Sequence, residues 1–268
     1  MDQSYWFRQT ADKPLFPNLL WSRPENRALA GKLLIIGGNS FGFAAPAEAY
    51  NEAQKAGIGV AHVLLPDATK RMVGHILEAG DYAPSTPSGS FSKNALGELL
   101  PHAAWADGVL LAGDLGRNSE TAILLEKFIT SYRGQLTITK DAADYFTSAP
   151  QVLLARPHTT LVVSFAQLQK LAVNAKFSRV FTFSMDLIRL VEALHELTLA
   201  YPVNIIVKHL ENIITASAGQ VSTTKLDSDK DIWRVATAAH AAVWWLQNPA
   251  KPFEAITTAV CETAKPAS

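Results

Sequence analysis

Cysteine is nearly missing from this 268-residue chain, which holds one, Cys261. A single thiol excludes an internal disulfide and any cysteine-based metal cluster, and near the apolar C-terminus it is expected as a small buried side chain. Net charge is missing too, because Lys+Arg and Asp+Glu both number 24. No basic run and no interleaving of basic with aromatic residues occurs, so neither nucleic acid nor an anionic membrane surface is expected as a partner. The longest apolar runs fall far short of a spanning helix, and the opening MDQSYWFRQTADKPLF carries acidic and polar residues without an apolar centre. A soluble, cytoplasmic protein is the expectation.

Several catalytic signatures are absent. There is no G-x-G-x-x-G turn with an acidic residue ending the following strand, which argues against a dinucleotide fold of that type. No G-x-x-x-x-G-K-[ST] occurs, so a P-loop is excluded, and without G-x-S-x-G the usual hydrolase elbow is gone. The seven histidines form no H-x-x-H or H-E-x-x-H, which leaves a metal hydrolase without support. No internal repeat is found.

What is present centres on residues 31–66, GKLLIIGGNSFGFAAPAEAYNEAQKAGIGVAHVLLP. Two continuously apolar runs, 33–36 and 60–65, flank an Ala-rich helix that starts at Pro46 and stops at Gly57. This is one βαβ unit, and strands apolar on both faces belong to a parallel sheet covered by helices on both sides. The turn 37–42 then lies at the carboxyl rim of the sheet, where helix N-termini face outward and ligands usually bind.

Residues 1–30, with Pro14, Pro17 and Pro24, read as an irregular arm laid on a single domain at 31–268. A helix over 68–78 capped by Asp67, a loop or lid over 81–90, and a helix over 92–104 follow. A buried strand at 108–112 ends in Gly113-Asp114-Leu115-Gly116, and a helix over 119–132 comes next. Strands at 136–139 and 152–155 are expected to end in Lys140-Asp141 and Arg156-Pro157-His158. Ser164 and Gln167 fit a capping box, and a helix is expected over 185–199. VNIIVK, NIITAS and VSTTKL suggest an antiparallel meander, and helices over 231–246 and 253–264 close the chain. Trp244-Trp245 fits either internal packing or an oligomer contact. The polar side chains at strand ends nominate Asp114, Asp141, His158, Lys208 and Asp231.

In this order the pieces resemble the YjeF C-terminal-type ADP- or ATP-dependent NAD(P)H-hydrate dehydratases of the ribokinase-like superfamily. The resemblance runs from about Trp21 to Leu246 and rests on six segments: the first strand, AAPAEAYNEAQKAGIGVAHVLLP, ADGVLLAGDLGRNSET, ITKDAADYF, LLARPHTTL and NIIVKHLENIITASAGQV. It implies a three-layer αβα ribokinase-like α/β domain, its sheet mostly parallel with a C-terminal antiparallel meander. It also implies ADP or ATP, with magnesium as an optional companion, held by Lys208, His209, Asn212 and Lys230. Hydrated NADH or NADPH would lie against Ala45, Asp114 and His158, with Asp231 as the catalytic base. The implied chemistry is phosphorylation and loss of the C6 hydroxyl, helix amides stabilising the phosphate. Family members commonly assemble as multimers, so a homo-oligomer is expected.

The sequence also departs from that family. TTKLDSDKD, residues 223–231, stands where a glycine-rich phosphate turn is expected and contains no glycine. Asp114 replaces a glycine, as does His209, and Thr159-Thr160 replace Pro-Gly. Three readings therefore stay open: a divergent dehydratase, a catalytically inactive relative that binds or assembles through its Trp-rich helix, and a small-metabolite kinase.

Overall fold

The computed structural model describes residues 3–74, 80–226 and 233–265. Ten strands form one sheet: β1 (Trp6–Thr10), β2 (Lys32–Gly37), β3 (Val60–Pro66), β4 (Gly80–Ala83), β5 (Gly108–Gly113), β6 (Gln135–Thr139), β7 (Thr159–Val163), β8 (Val203–His209), β9 (Asn212–Ser217) and β10 (Gln220–Lys225). Their order is β1-β10-β9-β8-β7-β6-β5-β2-β3-β4. Every pair from β4 across to β8 is parallel, β8–β9–β10 is an antiparallel meander, and β1 returns parallel to β10.

Helices cover both faces. They are α1 (Pro17–Trp21), α2 (Ala44–Lys55), α3 (Lys70–Val73), α4 (Leu96–Trp105), α5 (Ser119–Ser131), α6 (Asp141–Asp144), α7 (Gln151–Leu154), α8 (Phe165–Asn174), α9 (Leu187–Ala200), α10 (Arg234–Gln247) and α11 (Pro252–Ala264). Successive strand side chains alternate between two cores: Leu34 and Ile36 join α4, α5, α8 and α9, whereas Leu33 and Ile35 join α2, α10 and α11. Burial on both faces is why β2, β3 and β5 read as unbroken apolar runs. Among the described residues no helix is long and apolar enough to cross a membrane.

Some sequence expectations shift. Pro17 opens α1 rather than breaking it, because a proline in the first helical turn gives up an N–H that would have had no partner there. The helix expected over 68–78 ends at Val73, where Gly74 takes φ +49°. A strand, β4, occupies part of the segment read as a loop or lid. The run Val152–Leu154 lies in helix α7, and the strand is Thr159–Val163 instead. Both tryptophans of α10 are buried within the chain, Trp244 at 0% and Trp245 at 3% exposure, so they pack inside rather than offering an oligomer contact. Cys261 is buried, its thiol facing the Thr10 and Ala11 carbonyls, and burial pushes its pKa up.

Candidate functional site at the carboxyl rim

The ends of β2 and β5 touch. A Cβ on Gly37 would lie 2.5 Å from the Gly113 carbonyl oxygen, so only glycine lets these strand ends close together. Beyond them the chain places two non-glycine residues in the left-handed region, Asp114 at φ 56° and Lys140 at φ 52°. Such strain collects where surrounding contacts over-determine the backbone.

The contacts are specific. Asp114 Oδ2 accepts the Ala45 N–H at the start of α2 at 2.7 Å, while Lys140 Nζ donates to Oδ1 at 2.7 Å. Asn39, 8% exposed, donates from its side-chain amide to the Asp114 carbonyl at 2.5 Å. The first turn of α2, with its unpaired N–H groups and positive dipole end, thus holds a carboxylate of the chain itself.

A second carboxylate serves the same turn. Asp141 Oδ2 accepts the N–H groups of Leu115 at 2.9 Å and Gly116 at 3.1 Å. Burial, the largest influence, raises the Asp141 pKa against the pull of the Asp114, Leu115 and Gly116 backbone N–H groups, and its buried Oδ1 makes no hydrogen bond among the described residues. The Tyr145 hydroxyl donates to the Gly116 carbonyl at 2.7 Å. Gln167, which completes the expected capping box of α8, also donates to the Lys140 carbonyl at 2.8 Å and to Asp144 Oδ1 at 2.9 Å. Arg234, at the start of α10, donates to Gln167 Oε1 at 3.2 Å and so joins the network to that helix. Residues 85–91 fold over the rim: the Ser40 N–H donates to the Gly89 carbonyl at 3.0 Å, and the Asn118 side chain to Ser88 Oγ at 2.9 Å.

The candidates separate as follows. Ala45, Asp114 and Asp141 converge at one place. Lys208 and His209 end β8 on the same rim, with Asn212 opposite His209 across the β8–β9 hairpin. His209 is committed to structure: it is 6% exposed, its Nε2–H donates to the Met185 carbonyl at 2.9 Å, and its ring lies 4.9 Å from that of Phe165. His158 is not brought to the others. It precedes β7, at the amino rim, with its ring 6.4 Å from that of Trp245. Lys230 and Asp231 lie outside the described residues.

Sequence reasoning missed Asn39 and Tyr145 and gave Gln167 a capping role alone. Asn39 carried a readable signal, a polar residue directly after Gly37-Gly38 at a strand end. Nothing local marked Tyr145. Among the described residues no group of three or more His, Cys, Asp or Glu is arranged to hold a metal ion. A cavity of about 420 Å³ opens beside the turn, on the side of α5, α6 and α8.

No family model matches the sequence, and no curated protein matches it. Solved structures do match. A ribokinase-like superfamily protein from Enterococcus faecalis shares 14% identity at a TM-score of 0.72, over 98% of this chain and 88% of that one. A hypothetical protein from Streptococcus mutans shares 15% at 0.70, over 89% and 82%. The ADP/ATP-dependent NAD(P)H-hydrate dehydratase from Bacillus subtilis, co-crystallised with ATP/Mg2+, shares 12% at 0.58, over 88% and 79%. The chain has the ribokinase-like α/β fold, a mostly parallel sheet of ten strands with an antiparallel end, flanked by helices.

Proposed function

We propose that this chain is a nucleotide-dependent ribokinase-like enzyme, and more narrowly a divergent ADP- or ATP-dependent NAD(P)H-hydrate dehydratase. The observation that carries this reading is the convergence of Ala45, Asp114, Lys140 and Asp141 at the carboxyl rim, in a fold shared with a solved dehydratase. A bound nucleotide supplies the phosphoryl group that turns a hydroxyl into a leaving group.

The chain's own residues would bind and orient. Lys208, next to last on β8, is the cation proposed to meet a nucleotide phosphate. Asp231 is the proposed base that takes the proton from the substrate hydroxyl, and Lys230 beside it would offset the added negative charge. Asp114 and Lys140 would orient the substrate, the carboxylate accepting from hydroxyls and the ammonium donating. Magnesium, where bound, would be held largely by phosphate oxygens and water, which leaves Asp231 as the base.

A second reading, an inactive relative, has its own support. The carboxylate of Asp114 occupies the α2 amide and the Lys140 ammonium, two groups that would otherwise meet a ligand anion. One assay separates the two. Hydrated NADH is incubated with the protein and ADP or ATP, and the absorbance of regenerated NADH is followed. Turnover abolished by Asp231→Asn supports the dehydratase. No turnover, together with no thermal shift from either nucleotide, would sink it in favour of the inactive relative.

A further inference from the structure

The amino rim of the sheet, opposite the turn at Asp114, carries a cavity of about 510 Å³, within the size range of small-molecule sites. It opens between the starts of β7 and β8, the end of β9, the end of α9, the last turn of α10 and the start of α11. Among the described residues that line it there is no Lys, Arg, Asp or Glu.

Three polar groups that the fold has buried are left unengaged there. Asn204, 7% exposed, donates from Nδ2 to Thr160 Oγ1 at 3.1 Å, and its Oδ1 accepts no hydrogen bond among the described residues. Ser217, 2% exposed, and Trp245, 3% exposed, leave the hydroxyl and the indole N–H without a partner among those residues. None of the three atoms is sealed from solvent, in contrast with the indole N–H of Trp244. A folded chain rarely leaves polar groups this deep without a partner.

Sheet register brings them together. Ile205 pairs with Ala216, so Asn204 and Ser217, one step further on, face each other across β8 and β9 with Cβ atoms about 5 Å apart. Ile205 and Ala216 belong to the core under α4, α5, α8 and α9, and strand side chains alternate. Asn204 and Ser217 therefore point to the other face, where Trp245 packs. Sheet floor and helix wall thus aim at one space.

The chemistry of that space is specific: Asn204 Oδ1 accepts, the Trp245 N–H donates, and the Ser217 hydroxyl does either. A ligand that meets both roles carries an N–H beside a carbonyl, and with no carboxylate or ammonium to pair with it is uncharged. Pro157, Pro202 and Pro252, with the rings of His158 and Tyr201, complete walls that suit a flat ring. His158 and Ala218 at the edge are held at φ 54° and 48°, strain of the kind that gathers at ligand clamps.

We propose that this cavity binds a small uncharged planar amide, an aromatic carboxamide or the lactam edge of a heterocyclic base, its N–H on Asn204 Oδ1 and its carbonyl oxygen on Trp245 and Ser217. The site stands a strand length from the carboxyl rim, roughly 17 Å for the 5 residues of β7, and does not depend on the function proposed there.

Heteronuclear NMR of the full chain titrated with benzamide, uracil and benzoate tests this. A saturable shift of the Trp245 indole N–H resonance is expected with benzamide, uracil or both, and the stronger response tells carboxamide from lactam. Benzoate, flat but charged and without an N–H, should bind at least about tenfold more weakly, because its oxygens would face Asn204 Oδ1. Ser217→Ala should weaken the amide about fivefold, and Asn204→Leu by roughly tenfold or more. Ser217→Ala removes one atom that holds no hydrogen bond, so its circular dichroism melt should match the parent. That variant keeps the test standing if Asn204→Leu, which also breaks the Thr160 contact, fails to fold. Lack of saturable binding by either amide at millimolar concentration, a Trp245 resonance that stays still while others move, benzoate binding as tightly as benzamide, or unchanged affinity in Ser217→Ala would each overturn the proposal. None of these readouts requires a nucleotide or turnover of hydrated NADH.

Discussion

The two sides of the turn Gly113–Gly116 treat charge in opposite ways. Toward α2, Asp114, Lys140 and the Ala45 amide satisfy one another at 2.7 Å, and two turns further along α2 Glu52 meets His240 at 3.1 Å. Toward α5, α6 and α8, Arg117 and Lys170 line a cavity and make no ion pair among the described residues. A group held by the chain costs little to bury and gives a ligand little reason to enter, whereas an unpaired cation beside a cavity keeps its hydrogen-bonding capacity for something else. The side that resemblance nominates for substrate is therefore the one the chain has closed on itself, and the side it did not nominate is open.

The turn is most sensitive at Gly113, between its two sides. Gly113 sits at φ +104°, and a Cβ there would lie 2.7 Å from Lys140 Cβ and 2.8 Å from Asp141 Oδ1. Gly113→Ala should cost about 3 kcal/mol or more, read by urea unfolding, because backbone strain adds to overpacking. Asp141→Ala would leave the Leu115 and Gly116 N–H groups without their acceptor, a loss of about 2 kcal/mol by the same measurement. A near-neutral result would show that water replaces the carboxylate.

Asp114→Gly should sharpen the contrast rather than destroy it. Glycine relieves the strain at φ 56° while the cap and the ion pair are lost, so stability should stay within about 1 kcal/mol of the parent. The freed α2 amide and Lys140 should then bind inorganic phosphate more tightly by about tenfold, measured by calorimetry. Unchanged affinity would remove the support for the inactive-relative reading.

The smallest effects are pH slopes of opposite sign. The hydrogen bond from His240 holds the Glu52 carboxyl down at about 2, below its ordinary 4.5, against the cost of partial burial. Its contribution to stability is therefore full above the ordinary glutamate range and is lost as pH falls toward about 2. Glu52→Gln should flatten that acid slope in denaturation curves. Burial raises Asp141, so its contribution is full below the ordinary aspartate range and is lost as pH rises. Asp141→Asn, which keeps an accepting oxygen, should flatten the slope on that side.

The opening βαβ unit was legible because its signals agree: unbroken apolar runs, a proline in the first turn of α2 and a glycine after its end. The meander and the Ser164–Gln167 capping box were legible for the same reason, since β-branched runs and a cap at fixed spacing are local properties. Misreadings fell where a short apolar run fits strand and helix alike. VLLA satisfied either, and the β-branched TTLVV after it was the better strand signal. That slip carried His158 to the wrong rim. Polar WFRQT gave no hint of β1, which exists because the edge of β10 needed a partner. The site was half legible: strand ends named Asp114 and Asp141, but not what they hold.

By itself the sequence determined the layers, the mainly parallel sheet and the rim at which polar residues gather, because periodicity, caps and turns act over a few residues. Only the tertiary structure decided which charges cancel. Asp114 meets Ala45 and Lys140 across 69 and 26 residues of chain, while Arg117, three residues from Asp114, meets no carboxylate among the described residues. Pairing depends on which strand ends lie side by side, and sheet order sets that.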